Sequence, residues 1–144
     1  MVIHGVLILK ISIDSNCFKN LTFIDFLINN SSKIEIHVPI IVYIETLIWY
    51  KFKGLTLKDF SAELNDLHAK IDLIDEKIGD LLSSIVVQKD KSFPFKIHAR
   101  DYFIGVTADY NKTNLITYNI KHFDWLQIKA MTPEELVEDF INLP

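Results

Sequence analysis

Four residue types are scarce in this 144-residue sequence, which has one cysteine, four glycines, four prolines and one arginine. A lone cysteine, Cys17, cannot form a disulfide within the chain, so we expect a reducing, cytoplasmic environment. Few glycines and prolines argue against turn-dense sandwich and barrel folds. Long hydrophobic runs are also missing, since the apolar run that begins at Pro39 is interrupted by Glu45. The sequence therefore predicts a soluble protein with no membrane partner.

Apolar residues are abundant, at 49% of the chain, and they include ten Phe and five Tyr. A chain of this length and composition can bury a hydrophobic core, so we expect residues 1–144 to form a single domain. The 15 basic and 19 acidic residues give a net charge of −4, which does not suit a protein with an extended basic face for nucleic acid. Any action on nucleic acid would therefore depend on bound cations or on a locally positive site.

Aliphatic runs and amphipathic segments alternate along the chain, as in α/β proteins. Strands are predicted at residues 6–13, 34–38, 71–74, 115–118 and, at a sheet edge, 128–131. Helices are predicted at residues 18–27, 40–52, 57–67 and 78–86, from near Arg100, and after Thr132, with a loop at 88–94. The pattern predicts a parallel sheet of about four to five strands flanked by helices on both faces, a Rossmann-like three-layer sandwich. Ligands of such sheets bind at the carboxyl ends of the strands.

Three acidic residues occupy conspicuous positions in this pattern. Asp14 ends the first predicted strand, Glu45 lies inside an apolar helix, and Asp101 lies at the start of a later helix. Asp14 alone is compatible with a helix cap or a turn, and Asp101 alone suits a first helical turn. Glu45 is harder to explain, because a buried carboxylate is costly unless it is paired or binds a metal. The only arginine, Arg100, is not expected to pair with all three acids.

Four motifs occur in a fixed order: Asp-Ser-Asn after the first strand, Pro-x-x-x-x-x-Glu in a helix, Arg-Asp before a helix with small residues, and Leu-Ile-Thr-x-Asn-x-x-x-Phe at 115–123. In this order they resemble the PIN-domain nucleases, and most closely the toxin ribonucleases of VapBC-type toxin–antitoxin pairs. The resemblance includes the terminal Thr-Pro-Glu-Glu helix and spans nearly the whole chain. It implies a PIN-like fold and an endoribonuclease that hydrolyses RNA phosphodiester bonds.

The resemblance also implies a metal site and its ligands. Asp14, Glu45 and Asp101 match the three metal-binding acids of the family, which hold Mg²⁺ or Mn²⁺. The family often has a fourth acid where this chain has Asn119, so the fourth ligand would be Asn119, a water molecule or Asp124. Three neighbouring residues are expected to orient Asp14, namely Ser15, Asn16 and Thr117. Three are expected to bind the RNA, namely Arg100, Lys121 and His122.

The implied partners are an RNA substrate, a separate antitoxin chain and a second copy of the protein. We expect the homodimer interface to lie on helices around Trp49 and Phe60. His98 and His122 flank the expected cleft in sequence, although no pair of histidines has the spacing of metal ligands on one helix. Cys17 has no evident catalytic partner and is interpreted as a core residue.

Two other functions are compatible with the same residues. A receiver-like phospho-acceptor domain also has an Asp at a strand end in an α/β sheet, but it needs a second acidic pair early in the chain and leaves Glu45 without a role. A PIN-like binding module that has lost catalysis is the other alternative, because Asn119 is neutral.

Overall fold

The computed structural model describes residues 2–3 and 6–143, and in this part of the chain five parallel strands form one sheet in the order β5-β4-β3-β6-β7. The strands are β1 (Val2–Ile3), β2 (Val6–Leu7), β3 (Leu9–Ile13), β4 (Ile34–Pro39), β5 (Lys70–Asp72), β6 (Asn114–Ile116) and β7 (Ala130–Met131). The α-helices are α1 (Leu21–Asn29), α2 (Ile40–Phe52), α3 (Leu57–Leu67), α4 (Glu76–Lys89), α5 (Phe95–Tyr110) and α6 (Pro133–Ile141). The helices flank the sheet in three layers, so the predicted α/β sandwich is confirmed.

The central strands are aliphatic because both of their faces are covered. Ile11 and Ile13 of β3 and Ile36 and Val38 of β4 are almost completely buried. Neighbouring β6 contributes Leu115 and Ile116, which are also buried. The core thus lies around the strands that adjoin the candidate acids.

Side-chain caps determine where several helices begin. Thr56 and Thr132 each form a reciprocal capping box, with Asp59 and Glu135 respectively. The capping box predicted at Thr132 is therefore confirmed, and Pro133 occupies the first turn of α6. None of the helices in the described ranges is long and apolar enough to cross a membrane.

Several predicted element boundaries were wrong. The strand predicted at 6–13 is two strands, because β2 pairs antiparallel with β1 whereas β3 joins the parallel sheet. The helix predicted from residue 18 begins at Leu21, after a 3-10 turn over Ser15–Cys17, because the Asn20 side chain caps the Phe23 N–H. The helix predicted from near Arg100 begins at Phe95 and contains a kink at His98.

Phe60 faces the interior of the protein. Its ring is fully buried and contacts the rings of Phe18, Tyr43 and Tyr50. Phe60 is therefore a core residue and cannot contribute to a dimer interface. Trp49 is half-buried, and the ammonium of Lys53 lies 4.1 Å from its ring centroid.

The order of the parallel strands reverses between β3 and β6. Numbered along the chain, the five parallel strands have the order 3-2-1-4-5, and β3 and β6 are the neighbours at which the order changes direction. Receiver domains have the order 2-1-3-4-5, so the receiver alternative is wrong. Open α/β sheets bind ligands outside the carboxyl ends of the strands at such a reversal.

Candidate active site

Asp14 follows β3 at the strand-order reversal, and its carboxylate is fully buried, with 0% exposure. The hydroxyl of Thr117, which follows β6, donates to Asp14 Oδ2 at 2.7 Å. The backbone N–H of Ser15 donates to Asp14 Oδ1, also at 2.7 Å. Both donors stabilise the ionised carboxylate at its buried position. The expected orientation of Asp14 by Ser15 and Thr117 therefore has a geometric basis.

The Arg100 guanidinium lies among the three acids. Its Nε and Nη2 donate to the two carboxylate oxygens of Glu45, at 2.6 and 2.9 Å. Nη2 also donates to Asp14 Oδ1 at 2.5 Å and to Ser15 Oγ at 3.0 Å. Nη1 lies 3.6 Å from Asp101 Oδ1. The expectation that one arginine cannot pair with three acids is wrong, because a planar guanidinium presents five N–H donors in different directions.

Arg100 remains charged in this environment. Burial disfavours its positive charge, but hydrogen bonds to Glu45 and Asp14 outweigh burial and raise the pKa of Arg100. The side chain was expected to contact RNA, and in this structure its donors are directed to the acids instead. Two acids from distant parts of the chain thus share one counter-charge.

Asp101 lies beside two histidines. It is 6% exposed, and its Oδ2 is 3.2 Å from His122 Nδ1 and 3.5 Å from His98 Nδ1. His98 has non-helical backbone angles at the kink of α5, which separates the first turn of the helix from the turn that carries Asp101. The contact of His98 with Asp101 was not predicted, although the i, i+3 spacing on a helix is a signal for it.

Other expected site residues make no side-chain hydrogen bond or ion pair with the three acids among the described residues. Asn119 donates its backbone N–H to Thr117 Oγ at 3.0 Å, and Asn16 accepts a hydrogen bond from the Cys17 thiol. Asp124 is exposed at the end of a 3-10 helix, and Lys121 is exposed within it. Within residues 8–143, no hydrogen bond or ion pair links the side chain of Asn119 or Asp124 to the three acids. Asn119 nevertheless lies next to the cluster, because its backbone N–H is bonded to the hydroxyl that donates to Asp14. The role of Asn119 or Asp124 as a fourth ligand stays a prediction.

Cys17 is buried below the site, and its thiol donates to the Ile116 carbonyl at 3.4 Å. Burial, and secondly the charge of Asp14, raise the pKa of the thiol well above its usual range. A thiol that stays protonated is a poor nucleophile, so the interpretation of Cys17 as a core residue is confirmed.

The donor set has the chemistry of a site for a hard divalent cation. Asp14, Glu45 and Asp101 supply carboxylate oxygens, which Mg²⁺ and Mn²⁺ prefer, and they are already gathered around one positive group. Among the described residues, however, no three His, Cys, Asp or Glu side chains are arranged so that they could hold an ion. The three side chains are of the chemical type that binds such an ion. In the present arrangement, the positive group that they contact is Arg100.

Comparison with known proteins gives matches among solved structures. No protein-family model matches the sequence, and no curated protein matches it either. A VapBC2 complex from Rickettsia felis, bound to a promoter DNA fragment, has a chain that matches with a TM-score of 0.64 and 16% identity over 85% of this chain and 97% of that one. A toxin–antitoxin complex from Klebsiella pneumoniae matches with a TM-score of 0.63 and 19% identity, over 85% and 96% of the two chains.

VapBC-1 from nontypeable Haemophilus influenzae matches with a TM-score of 0.60 and 17% identity, over 88% of this chain and 99% of that chain. The three likenesses cover nearly the full length of the matched chains. They confirm that the chain has a PIN-domain fold. Among PIN domains, the fold resembles that of the VapC-like toxins, as the sequence motifs implied.

Proposed function

We propose that the protein is a divalent-metal-dependent endoribonuclease and the toxin of a toxin–antitoxin pair. The observation that carries this proposal is the convergence of Asp14, Glu45 and Asp101 at the carboxyl edge of the sheet, where the strand order reverses. Of the three acids, Asp14 and Asp101 are buried and Glu45 is partly exposed, and acids that converge in this way are typical of functional sites.

Asp14, Glu45 and Asp101 would hold Mg²⁺ or Mn²⁺, and the fourth protein ligand would be Asn119 or Asp124, or a water molecule in their place. A bound ion of this kind supplies an activated water and offsets the charge of a phosphodiester. Thr117 and Ser15 keep the carboxylate of Asp14 in one orientation by donating to its two oxygens. His122, which contacts Asp101, and its exposed neighbour Lys121 are the proposed contacts to RNA.

The net negative charge of the chain is compatible with an RNA substrate. Arg100 and the rings of His98 and His122 surround Asp101, so one permanent positive charge and two imidazole nitrogens lie where the phosphate would bind. A bound divalent ion would add further positive charge at the same position. Local rather than overall charge would therefore attract the substrate.

Cleavage of RNA by the purified protein tests the proposal. We expect a single-stranded RNA to be cut with Mg²⁺ or Mn²⁺, and cleavage to stop when a chelator is added. Asp14→Asn, Glu45→Gln and Asp101→Asn should each abolish cleavage, whereas Asp80→Asn, which removes an exposed carboxylate on α4, should not. Undiminished cleavage in chelator, or by folded Asp14→Asn protein, would refute the mechanism.

A PIN-like binding module without catalysis is the second candidate. One observation favours it: Arg100 already supplies hydrogen bonds to Glu45 and Asp14, as a structural ion pair would. The two candidates differ in divalent-ion binding. A binding module of this kind would show no carboxylate-dependent affinity for Mn²⁺ by isothermal titration calorimetry.

The proposal includes two protein partners and a location. A cognate antitoxin would bind the protein and inhibit it, so co-expression of the neighbouring reading frame should relieve growth arrest caused by this chain. A second copy would cover the exposed apolar side chains of α2 and the residues after it, which are Ile44, Ile48, Phe52, Leu55 and Leu57. A cytoplasmic location is part of the same proposal, because cellular RNA is the substrate.

A further inference from the structure

We infer that Arg100 is an internal competitor of the divalent ion, so that metal binding requires its guanidinium to leave the acids. This inference rests on the proposed function, and it concerns what controls the affinity of the site. The guanidinium contacts Asp14 and Glu45 by hydrogen bonds and Asp101 as an ion pair. These are the same three side chains that would hold the ion.

The carboxylate oxygens of Glu45 and Asp14 are largely committed in this arrangement. Both oxygens of Glu45 accept from Arg100, and Asp14 accepts from Arg100, Ser15 and Thr117. An ion that binds these oxygens directly must replace the arginine as their partner, because two positive charges would otherwise be adjacent. The guanidinium therefore lowers the metal affinity and at the same time stabilises the metal-free protein.

The guanidinium is able to leave. Its side chain is 34% exposed, whereas that of Asp14 is completely buried, so the arginine and not the aspartate can turn toward solvent. A phosphate is an alternative acceptor for the same bidentate fork. Arg100 would then be a positioning residue. It would hold the three acids together in the metal-free protein, and it would turn toward the substrate when the metal binds.

Variants of Arg100 test the competition by metal affinity, measured without RNA. We expect Arg100→Met to bind Mn²⁺ about tenfold more tightly than the wild type by isothermal titration calorimetry, as removal of a competing charge predicts. Lys96→Met is the matched control, because it removes one exposed positive charge from the first turn of α5. Its affinity should stay within about twofold of the wild type. Equal or weaker Mn²⁺ binding by Arg100→Met would overturn the inference.

Thermal unfolding provides a second readout. Metal-free Arg100→Met should melt at a lower temperature than the wild type, because Asp14 would lose a partner while buried. Saturating Mg²⁺ should raise the melting temperature of Arg100→Met more than that of the wild type. If Arg100→Met does not fold, Arg100→Lys keeps the charge but not the fork, and it should bind Mn²⁺ more tightly than the wild type by a smaller factor. An unchanged affinity in Arg100→Lys would then contradict the inference.

The movement itself can be observed by nuclear magnetic resonance. Because Arg100 is the only arginine, its Nε–H gives one unambiguous side-chain signal. Without metal this hydrogen should exchange slowly with water, since it is bonded to Glu45. Addition of Mg²⁺ should shift the signal and speed its exchange, and an unchanged signal at saturating Mg²⁺ would rule out displacement.

These outcomes separate the inference from the function on which it rests. Metal competition by Arg100 without RNA cleavage would refute the proposed function alone. Metal-dependent RNA cleavage with the same Mn²⁺ affinity in wild type and Arg100→Met would refute the inference alone.

Discussion

The hydroxyl of Thr117 links the ends of β3 and β6, the two strands between which the strand order reverses. It donates to the buried Asp14 carboxylate and accepts from the Asn119 backbone N–H. A residue with both roles orients the proposed metal ligand and also fixes the start of the loop that leads to His122. Its removal should therefore affect both stability and the site.

We expect Thr117→Val to lower the free energy of unfolding by about 1–3 kcal/mol, because a buried carboxylate loses a hydrogen-bond donor. Thr117→Ser keeps the hydroxyl and should recover most of the loss. Thr22→Val, on the exposed side of α1, serves as the control for the same substitution. Urea denaturation measures all three, and a wild-type stability for Thr117→Val would contradict the assigned hydrogen bond.

Gly105 of α5 shows how closely Trp125 and Leu126 pack on this helix. A Cβ at this position would lie 2.9 Å from Leu126 Cδ2 and 3.1 Å from Trp125 Cη2. Gly79 is also within a helix, but a Cβ there would meet no atom within 4 Å. The two glycines therefore offer a matched pair.

Gly105→Ala should destabilise the protein by about 1–2 kcal/mol, since overpacking outweighs the gain in helix propensity. Gly79→Ala should stabilise it by about 0.5–1 kcal/mol, because only the propensity changes. Thermal or urea unfolding of both variants measures whether each substitution raises or lowers the free energy of unfolding. The packing argument fails if both substitutions stabilise the protein equally.

At the scale of elements, the edge strand β5 is joined to β4 by a polar cluster. His37 of β4 contacts Asp72 of β5 and Glu35 of its own strand, each at 2.8 Å. Lys70 and Lys10 add ion pairs to Glu35 at 3.1 and 3.7 Å. Because β5 has only three residues, these contacts are a substantial part of its attachment to the sheet.

The cluster predicts a pH-dependent stability. Burial opposes the charge of His37, but hydrogen bonds to Asp72 and Glu35 outweigh it and raise the histidine pKa. The hydrogen bond from His37 is the main reason that the pKa of Glu35 falls from 4.5 to about 2, against the opposing effect of burial. Because its pKa is raised, His37 stabilises the fold fully below pH 6.5. This stabilisation is lost as the pH rises through the raised pKa. Because its pKa is lowered, Glu35 stabilises the fold fully above pH 4.5. This stabilisation is lost as the pH falls toward 2.

We therefore expect the stability difference between wild type and His37→Gln to be largest between about pH 4.5 and 6.5 and to shrink at higher pH. Urea denaturation at several pH values from 4 to 9 measures this difference. His68→Gln is the control, since its ring is exposed at the end of α3. A difference that grows from pH 6 to pH 9 would contradict the assigned charge of His37.

Much of the element order could be predicted from the sequence. Continuous aliphatic runs such as Ile11–Ile13 are local signals of strands buried on both faces, and capping residues such as Thr132 are local signals of helix starts. The predicted boundaries of strands and helices were wrong where pairing with another segment of the chain determines the local structure. The division of residues 6–13 depends on pairing with β1, which no periodicity within the run reveals.

The same distinction applies to the candidate site. Asp14, Glu45 and Asp101 could be selected because each is an acid in an apolar or strand-end context, and the family resemblance supported their grouping. The position of Arg100 could not be predicted, because its partners are 86 and 55 residues away in sequence and depend on the assembled fold. The kink at His98 likewise has no periodic signal, although its i, i+3 spacing from Asp101 is one for their contact.

On the scale of the whole molecule, α2 presents an exposed apolar surface among the described residues. Phe52 is 87% exposed, and Ile48 lies one turn before it and is also exposed. Exposed apolar residues that are grouped in this way are typical of interaction sites. This surface lies on the helix of Trp49 and continues to the start of the Phe60 helix, so the homodimer contact predicted around these residues stays a prediction.

We expect light scattering to give a mass near twice 16.7 kDa for the wild type, and Phe52→Glu to shift it toward 16.7 kDa. A charge at the centre of an apolar interface should weaken association strongly. Val87→Glu, at an equally exposed residue of α4, should leave the mass unchanged. A wild-type mass of 16.7 kDa at high concentration would refute the homodimer.

The sequence distance across the site has a consequence for the synthesis of the protein. Thr117 is 103 residues after Asp14, and Arg100 is 86 residues after it. A nascent chain that has not yet released β6 from the ribosome lacks both the hydroxyl that orients Asp14 and the strand that pairs with β3 on the side opposite β4. Under the proposed function, such a chain would not yet have an assembled site, so cleavage of RNA would begin only after β6 has left the ribosome and paired with β3.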